Sequence, residues 1–183
     1  MKNLTLDKEK TGVVIIDVQI KLMDVIAHKN SVIENIKKFI FLSKLYNLPN
    51  ILTEQYPRWL GPTVVEITES LESYDPIEKI HFNCCDENGF NKRLESENVD
   101  NIILTGVESH ICVFQTCMSL LKKGYGVHVP FDAVGSRNNE NSKIGLDLMK
   151  ESGAVITSTE TIIYQLLEKA GTKEFKEMLK MLR

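Results

Sequence analysis

Short apolar runs alternate with helical segments along almost the whole chain, and this alternation is the feature that most constrains the fold. The first run, GVVIID, contains no charged residue before its final Asp17, as expected for a strand buried on both faces. Strands joined by helices form βαβ units, which place the strands parallel in one sheet. Predicted strands cover residues 12–17, 50–55, 75–82, 99–107, 125–130 and 154–158. Predicted helices cover residues 30–46, 63–71, 89–98, 110–123, 139–153, 159–171 and 172–183.

This order of segments predicts one α/β domain over residues 1–183. The expected architecture is a three-layer α/β/α arrangement around a doubly wound, six-stranded parallel sheet of order 3-2-1-4-5-6, which is Rossmann-like. The chain has 183 residues, close to one domain on the usual scale of roughly 100–200 residues each. It has no internal repeat, low-complexity tract or linker that would divide it.

Charge and hydropathy exclude several classes of partner. The formal net charge is −3 and no basic stripe occurs, so we expect no nucleic-acid partner. The longest apolar runs are far too short to cross a bilayer, and the N-terminal residues are polar, so we expect no membrane association and a cytoplasmic location. The four cysteines should then be reduced. They are Cys84, Cys85, Cys112 and Cys117.

The turn after the first strand argues against a nucleotide cofactor. It reads DVQIKLMD and contains no glycine, so the glycine-rich dinucleotide fingerprint is missing. A phosphate-binding loop ending in Gly-Lys-Ser/Thr is also absent from the sequence. We therefore predict that the protein needs no cofactor.

Three polar residues fall where a doubly wound sheet binds ligands, beyond the carboxyl ends of its strands. Asp17 ends the first strand, Lys79 lies near the end of the third, and Cys112 follows the fourth in the turn GVESHICV. With the predicted strand order, strands one and four are neighbours at the switch point. A carboxylate, a cation and a thiol could therefore converge on one crevice.

These three groups suit nucleophilic attack on a carbonyl or amide carbon. A helix N-terminus and a nearby Lys79 would both favour the thiolate of Cys112, so its pKa is expected below the free-thiol value of about 8.5. Asp17 could take the thiol proton and return it to a leaving group. Backbone N–H groups of the turn could bind an oxyanion.

Each of these residues also has an ordinary structural interpretation. Cys112 could be a small buried hydrophobe, since cysteine is among the most buried residue types. Asp17 could cap the next helix. Lys79 could belong to a solvated edge-strand face, because it lies between apolar neighbours. The residues alone leave these alternatives open.

Several other residues are weaker candidates. Trp59, Tyr56 and Phe82 could wall a substrate pocket or could simply pack. The spacing of His110, Cys112 and Cys117 does not match a zinc site. The apolar stripe on the last helix could dock on the body of the protein or on another subunit, which favours a homo-oligomer, dimer or larger.

The motifs VVIIDVQ, IEKIHF and GVESHICV resemble those of the isochorismatase-like cysteine hydrolases. LTEQYPRWLGPTV, FDAVGSR and KEFKEMLKML resemble the subgroup called isochorismatase domain-containing proteins. The resemblance spans nearly the whole chain and implies a catalytic triad, with Asp17 as general base, Lys79 as electrostatic partner and Cys112 as nucleophile. It also implies an oxyanion hole from the N–H groups of Glu108 and Cys112, shaped by a cis Val107–Glu108 bond.

The same resemblance implies where substrate is selected. Glu54, Gln55 and Tyr56 fall in the loop that would determine specificity, and Ser109 keeps the hydroxyl of the family's usual threonine. The predicted substrate-binding residues are Gln19, Glu54, Gln55, Tyr56, Trp59, Phe82 and Ser109. Nicotinamidases of this family bind a metal through histidines of that loop, which are missing here, so we predict no metal.

The sequence thus predicts a cysteine hydrolase that cleaves a small amide or related acyl compound through a covalent thioester. Isochorismatase proper lacks the nucleophilic cysteine, so the presence of Cys112 argues against vinyl-ether chemistry. One alternative is a binding or scaffold protein that has kept the fold without useful turnover. Another is a flavodoxin-like or nucleotide-binding domain, against which the glycine-free first turn counts.

Overall fold

A computed structural model of the chain describes residues 4–182. Its centre is a sheet in which every strand pair is parallel and the main order is β3-β2-β1-β4-β5-β7. A short strand, β6, pairs with β4 beside β5. The strands are β1 (Thr11–Ile16), β2 (Asn50–Gln55), β3 (Ile77–Lys79), β4 (Asn101–Val107), β5 (Gly126–Pro130), β6 (Val134–Gly135) and β7 (Val155–Thr157).

The predicted α/β class, parallel sheet and order of the six main strands are confirmed, and two details differ. Strand β5 pairs only with the first part of β4, so the chain turns after Pro130 and returns to β4 as the extra strand β6. Strand β3 is shorter than predicted because the chain bends after Lys79. The Lys79 ammonium donates to the His81 and Phe82 carbonyls of that bend, and the Gln55 amide donates to the Ile80 carbonyl.

Helices cover both faces of the sheet, as a parallel sheet requires. One face packs against α2, α4, α8 and α9, and the other against α5, α6 and α7. The helices are α1 (Ile20–Met23), α2 (Lys29–Tyr46), α3 (Pro57–Leu60), α4 (Val65–Thr68), α5 (Asn88–Ser96), α6 (Phe114–Lys122), α7 (Asn139–Glu151), α8 (Thr159–Leu167) and α9 (Lys173–Met178). A π-helix, Ser109–Val113, precedes α6, and two 3₁₀ turns lie at Lys8–Lys10 and Cys84–Asp86.

The last helix packs on the body of its own chain. Met178 is fully buried in the core that α2 and α8 form, and Phe175 and Leu182 pack against the same cluster. Of the two alternatives left open by the sequence, the apolar stripe therefore docks on the chain itself. It is not an argument for a second subunit.

Gly106 lets the two central strands approach where the functional residues begin. Its φ is +116°, and a Cβ at this position would lie 2.1 Å from the Ile16 carbonyl oxygen. Ile16 directly precedes Asp17, and Gly106 directly precedes the segment that leads to Cys112. The close approach therefore sets the distance between these two segments.

Gly106→Ala is expected to lower the free energy of unfolding by about 3 kcal/mol or more, since it combines a disfavoured backbone conformation with a collision against backbone. Chemical denaturation of the purified variant measures this. Gly124→Ala is the matched control, because Gly124 also has a positive φ (+94°) but open space around it. Equal, small losses in both variants would show that the approach of β1 and β4 does not depend on Gly106.

Candidate active site

Asp17, Lys79 and Cys112 come together at the carboxyl ends of β1, β3 and β4. Lys79 Nζ lies 2.7 Å from Asp17 Oδ2 in a fully buried ion pair. The Cys112 thiol lies close enough to the same carboxylate for the charge of Asp17 to raise the pKa of the thiol. The structure thus brings together the three groups that the sequence proposed for catalysis.

Asp17 is held by its backbone as well as by its side chain. Its φ is +55°, its N–H donates to the Thr53 carbonyl at 3.2 Å, and its Oδ1 accepts from Thr53 Oγ1 at 2.8 Å. The side chain caps no helix, because α1 has Gln19 at its N-cap position. Burial raises the pKa of the Asp17 carboxyl, although the Lys79 charge and the hydrogen bonds from Lys79, Thr53 and Cys112 act in the opposite direction.

Lys79 is 2% exposed, so the interpretation as a solvated edge-strand residue is wrong. Its ammonium donates to Asp17 and to Gln55 Oε1, both at 2.7 Å, and to the carbonyls of His81 and Phe82 at 3.3 and 3.4 Å. Burial alone would lower its pKa, but the charge of Asp17 raises the pKa above the usual lysine value. The ammonium therefore stays charged throughout the neutral range.

Cys112 lies in the π-helix that precedes α6, and it is 6% exposed. Single π turns inside helices occur often at functional sites. The expectation of a lowered thiol pKa is wrong in direction. Burial raises the pKa of Cys112, the charge of Asp17 and its hydrogen bond raise it further, and the charge of Lys79 only partly opposes them. The free site therefore holds an ion pair beside a neutral thiol.

The segment before Cys112 has the backbone that the family resemblance implied. The Val107–Glu108 peptide bond is cis, and the Glu108 N–H donates to no group within residues 4–182. The Glu108 side chain points elsewhere, accepting from the Arg137 N–H and pairing with Arg137 Nε, both at 3.2 Å. An oxyanion hole at the Glu108 N–H is compatible with this arrangement and stays a prediction.

Two of the predicted substrate-binding residues connect the site to neighbouring segments instead. The Gln19 amide is fully buried, donates to the carbonyls of Gln55 and Gly61, and accepts from the Gln55 N–H. Ser109 is also fully buried, with its hydroxyl 3.1 Å from Ser142 Oγ. Neither side chain is open to a substrate, because protein groups occupy its polar atoms.

Glu54 and Gln55 point to opposite faces of β2, since successive strand residues alternate. Glu54 lies away from the triad, and its Oε1 accepts from the Thr63 N–H, the Thr63 hydroxyl and the Tyr74 hydroxyl. Gln55 lies on the face that carries Asp17 and Lys79, and its Oε1 accepts from the Lys79 ammonium. Both side chains therefore bond to other protein groups, and the structure gives no support for direct substrate contact by Glu54.

The three aromatic candidates lie on the surface. Tyr56, Trp59 and Phe82 are 51%, 67% and 55% exposed. Tyr56 and Lys79 line a cleft of about 450 Å³ beside β3. Lys21 packs over the Trp59 ring, with Nζ 4.9 Å from its centroid. These aromatic residues remain candidates for contact with a ligand that approaches this edge of the sheet.

Sequence reasoning missed two residues of the site, Thr53 and Cys84. Thr53 donates to Asp17, and Cys84 Sγ lies 3.9 Å from Thr53 Oγ1. Both are fully buried, and burial raises the pKa of Cys84 to about 12. Within residues 4–182 no three His, Cys, Asp or Glu side chains converge as a metal site would require, and the absence of a metal stays a prediction.

Comparison with known proteins identifies related sequences and structures. A family profile described as the Isochorismatase domain matches residues 11–161. Isochorismatase family protein 1A from Dictyostelium discoideum is 36% identical over 169 residues, which cover 90% of this chain and 82% of the relative. Isochorismatase domain-containing protein 2 from Danio rerio is 33% identical over 166 residues, covering 91% and 83%.

A solved structure is equally similar. The MAR1 ribonuclease from Caenorhabditis elegans superimposes with a TM-score of 0.91 at 32% identity, over 97% of this chain and 92% of that one. That structure shares the fold of this chain over nearly its whole length.

Proposed function

The chain belongs to the isochorismatase family, and from this premise we propose that it is a cysteine hydrolase cleaving a small amide or related acyl compound. Family membership supports a hydrolase-type function. One observation carries the finer proposal: a buried Asp17–Lys79 ion pair lies beside the Cys112 thiol, whose pKa the Asp17 charge raises. A nucleophile, a base and a fixed positive charge meet there, as acyl transfer requires.

The first half of the reaction forms a thioester. Asp17 takes the proton of Cys112 as Sγ bonds to the carbonyl carbon, and the carbonyl electron pair moves onto oxygen. The N–H groups of Glu108 and Cys112 would bind that oxyanion. When the tetrahedral adduct collapses, the C–N bond breaks and Asp17 returns its proton to the leaving nitrogen.

The second half consumes the thioester with water. Asp17 takes a proton from the water molecule as the water oxygen attacks the carbonyl carbon of the thioester. Collapse of this adduct breaks the C–S bond, and Asp17 returns the proton to Cys112. Lys79 stays protonated throughout, and its charge keeps Asp17 ionised between proton transfers. This cycle needs no metal or cofactor.

Two other functions compete with this one. A binding or scaffold protein without turnover is favoured by the low exposure of Cys112 and the raised pKa of its thiol. RNA cleavage is suggested by the MAR1 ribonuclease relative. The enclosed site and the net charge of −3 argue against an RNA substrate, which needs an open, positively charged surface.

A parallel assay of amide turnover and RNA cleavage tests the proposal. Purified protein is incubated with a panel of small neutral amides and with a single-stranded RNA, and release of amine or ammonia is compared with RNA cleavage. Amide turnover that is lost in Cys112→Ala is the expected result. RNA cleavage that survives in Cys112→Ala, or release of amine or ammonia that is equal in Cys112→Ala, would exclude a cysteine hydrolase of this kind.

The remaining partner predictions are proposals as well. A small-molecule substrate, no nucleic-acid partner and a cytoplasmic location fit the proposed reaction. The protein is also proposed to form a homo-oligomer, for which the exposed aromatic residues Tyr56, Trp59 and Phe82 offer an apolar surface. Sedimentation showing only monomer would exclude that. No helix within residues 4–182 is long and apolar enough to cross a bilayer.

A further inference from the structure

We propose that Thr53 is a positioning residue of this site, and that its hydroxyl orients the Asp17 carboxylate toward the Cys112 thiol. The role rests on the proposed function, since it concerns the residue assigned there as general base. Thr53 lies on β2, opposite Ile16 of β1 and thus beside the start of the Asp17 turn. It would act only through Asp17.

Thr53 holds Asp17 at two points. The Thr53 carbonyl accepts from the Asp17 N–H at 3.2 Å, and the Thr53 hydroxyl donates to Oδ1 at 2.8 Å. The first bond fixes a backbone that has a positive φ, and the second fixes the rotation of the carboxylate. The two bonds together define both the place and the plane of the carboxylate.

The plane of the carboxylate determines which lone pair faces the nucleophile. Lys79 occupies Oδ2 and Thr53 occupies Oδ1, and a carboxylate offers about four acceptor positions in all. The positions that remain are available to the Cys112 thiol, whose pKa the Asp17 charge raises. Without the hydroxyl, only the Lys79 bond and the thiol itself would oppose rotation of the group.

The direction of the Thr53 hydrogen bond is also determined by its surroundings. Cys84 Sγ lies 3.9 Å from the Thr53 oxygen and can donate its weakly acidic proton there. The Thr53 proton therefore points to Asp17. The titratable groups that face Asp17 are Lys79 from β3, Cys112 from the π-helix and Cys84 from the 3₁₀ turn after β3.

Packing alone does not require a hydroxyl at this position. Valine has nearly the same shape as threonine and suits a buried strand, whereas a buried hydroxyl is costly unless it is hydrogen-bonded. Thr105 on the neighbouring strand β4 provides a comparison. It is equally buried, but its hydroxyl donates to the Val14 carbonyl, away from the carboxylate.

The test is the pKa of the Asp17 carboxyl, followed by ¹³C NMR of aspartate-labelled protein and assigned with Asp17→Asn. Removing one donor from the carboxylate destabilises its charged form, so Thr53→Val is expected to raise this pKa by roughly one unit. Thr53→Ser keeps the hydroxyl and should restore the original value. Thr105→Val, the matched control, should leave it unchanged.

These outcomes separate positioning from simple stability. An unchanged pKa in Thr53→Val, or an equal shift in Thr105→Val, would overturn the role of Thr53. If Thr53→Val does not fold, Thr53→Ala removes the same hydroxyl with less bulk and must give the same upward shift. NMR titration needs no substrate, so it can fail while amide turnover stands, or succeed while the hydrolase proposal fails.

Discussion

Replacing Cys112 with Ala should abolish amide turnover, with a loss of at least about 10⁴-fold in kcat/KM, because no thioester can form without the sulfur. The free energy of unfolding should fall by only about 1 kcal/mol, since one small buried atom is removed. Initial rates and chemical denaturation of the same preparation measure both effects.

Cys117→Ala is the matched control for that variant. Cys117 is fully buried in α6, and burial alone raises the pKa of its thiol to about 12. It lies in the same core cluster as Cys112 but makes no hydrogen bond with Asp17. Turnover should persist in Cys117→Ala, and equal turnover in both variants would remove Cys112 from the mechanism.

Replacing Asp17 with Asn should affect turnover and thiol reactivity in opposite directions. Loss of the general base lowers kcat/KM by about 10²–10⁴-fold. The Cys112 thiol, however, loses the negative charge and the hydrogen bond that raise its pKa, while the positive charge of Lys79 remains. Its pKa therefore falls, more thiolate is present at neutral pH, and alkylation by iodoacetamide becomes about tenfold faster per unit of pKa.

A double variant isolates the cause of that gain. Asp17→Asn leaves the buried ammonium of Lys79 without its counter-charge, which is destabilising. Asp17→Asn combined with Lys79→Met removes the charge as well, so alkylation of Cys112 should be slower than in Asp17→Asn but still faster than in the unmodified protein, while turnover stays lost. If alkylation slows in the single variant, the charge of Asp17 does not control the thiol.

The family and the fold could be predicted because their signals are long. The β-branched runs, their spacing by helices and several motifs in order all agree, and the match over residues 11–161 confirms the resemblance. Strand β6 could not be predicted, since two residues carry no periodicity. The shortening of β3 could not be predicted either, because it depends on hydrogen bonds from the Lys79 side chain to the His81 and Phe82 carbonyls just after the strand.

The convergence of Asp17, Lys79 and Cys112 followed from the strand order, but the electrostatics of the site did not. A thiol beside a helix start and a lysine looks activated in sequence, and only the structure reveals its burial and its contact with Asp17. Thr53 was missed because threonine in a buried strand looks like packing. The period of two along β2 is the sequence signal that separates Glu54 from its neighbours.

The most direct test of the covalent mechanism is mass spectrometry of the protein quenched with acid during turnover of an amide from the panel. We expect a transient mass increase equal to the acyl group, located on the peptide that contains Cys112 and absent from those with Cys84, Cys85 and Cys117. Asp17→Asn should accumulate much less of it. Product formation with no acyl group on Cys112 at any time, and at an equal rate in Cys112→Ala, would contradict the mechanism.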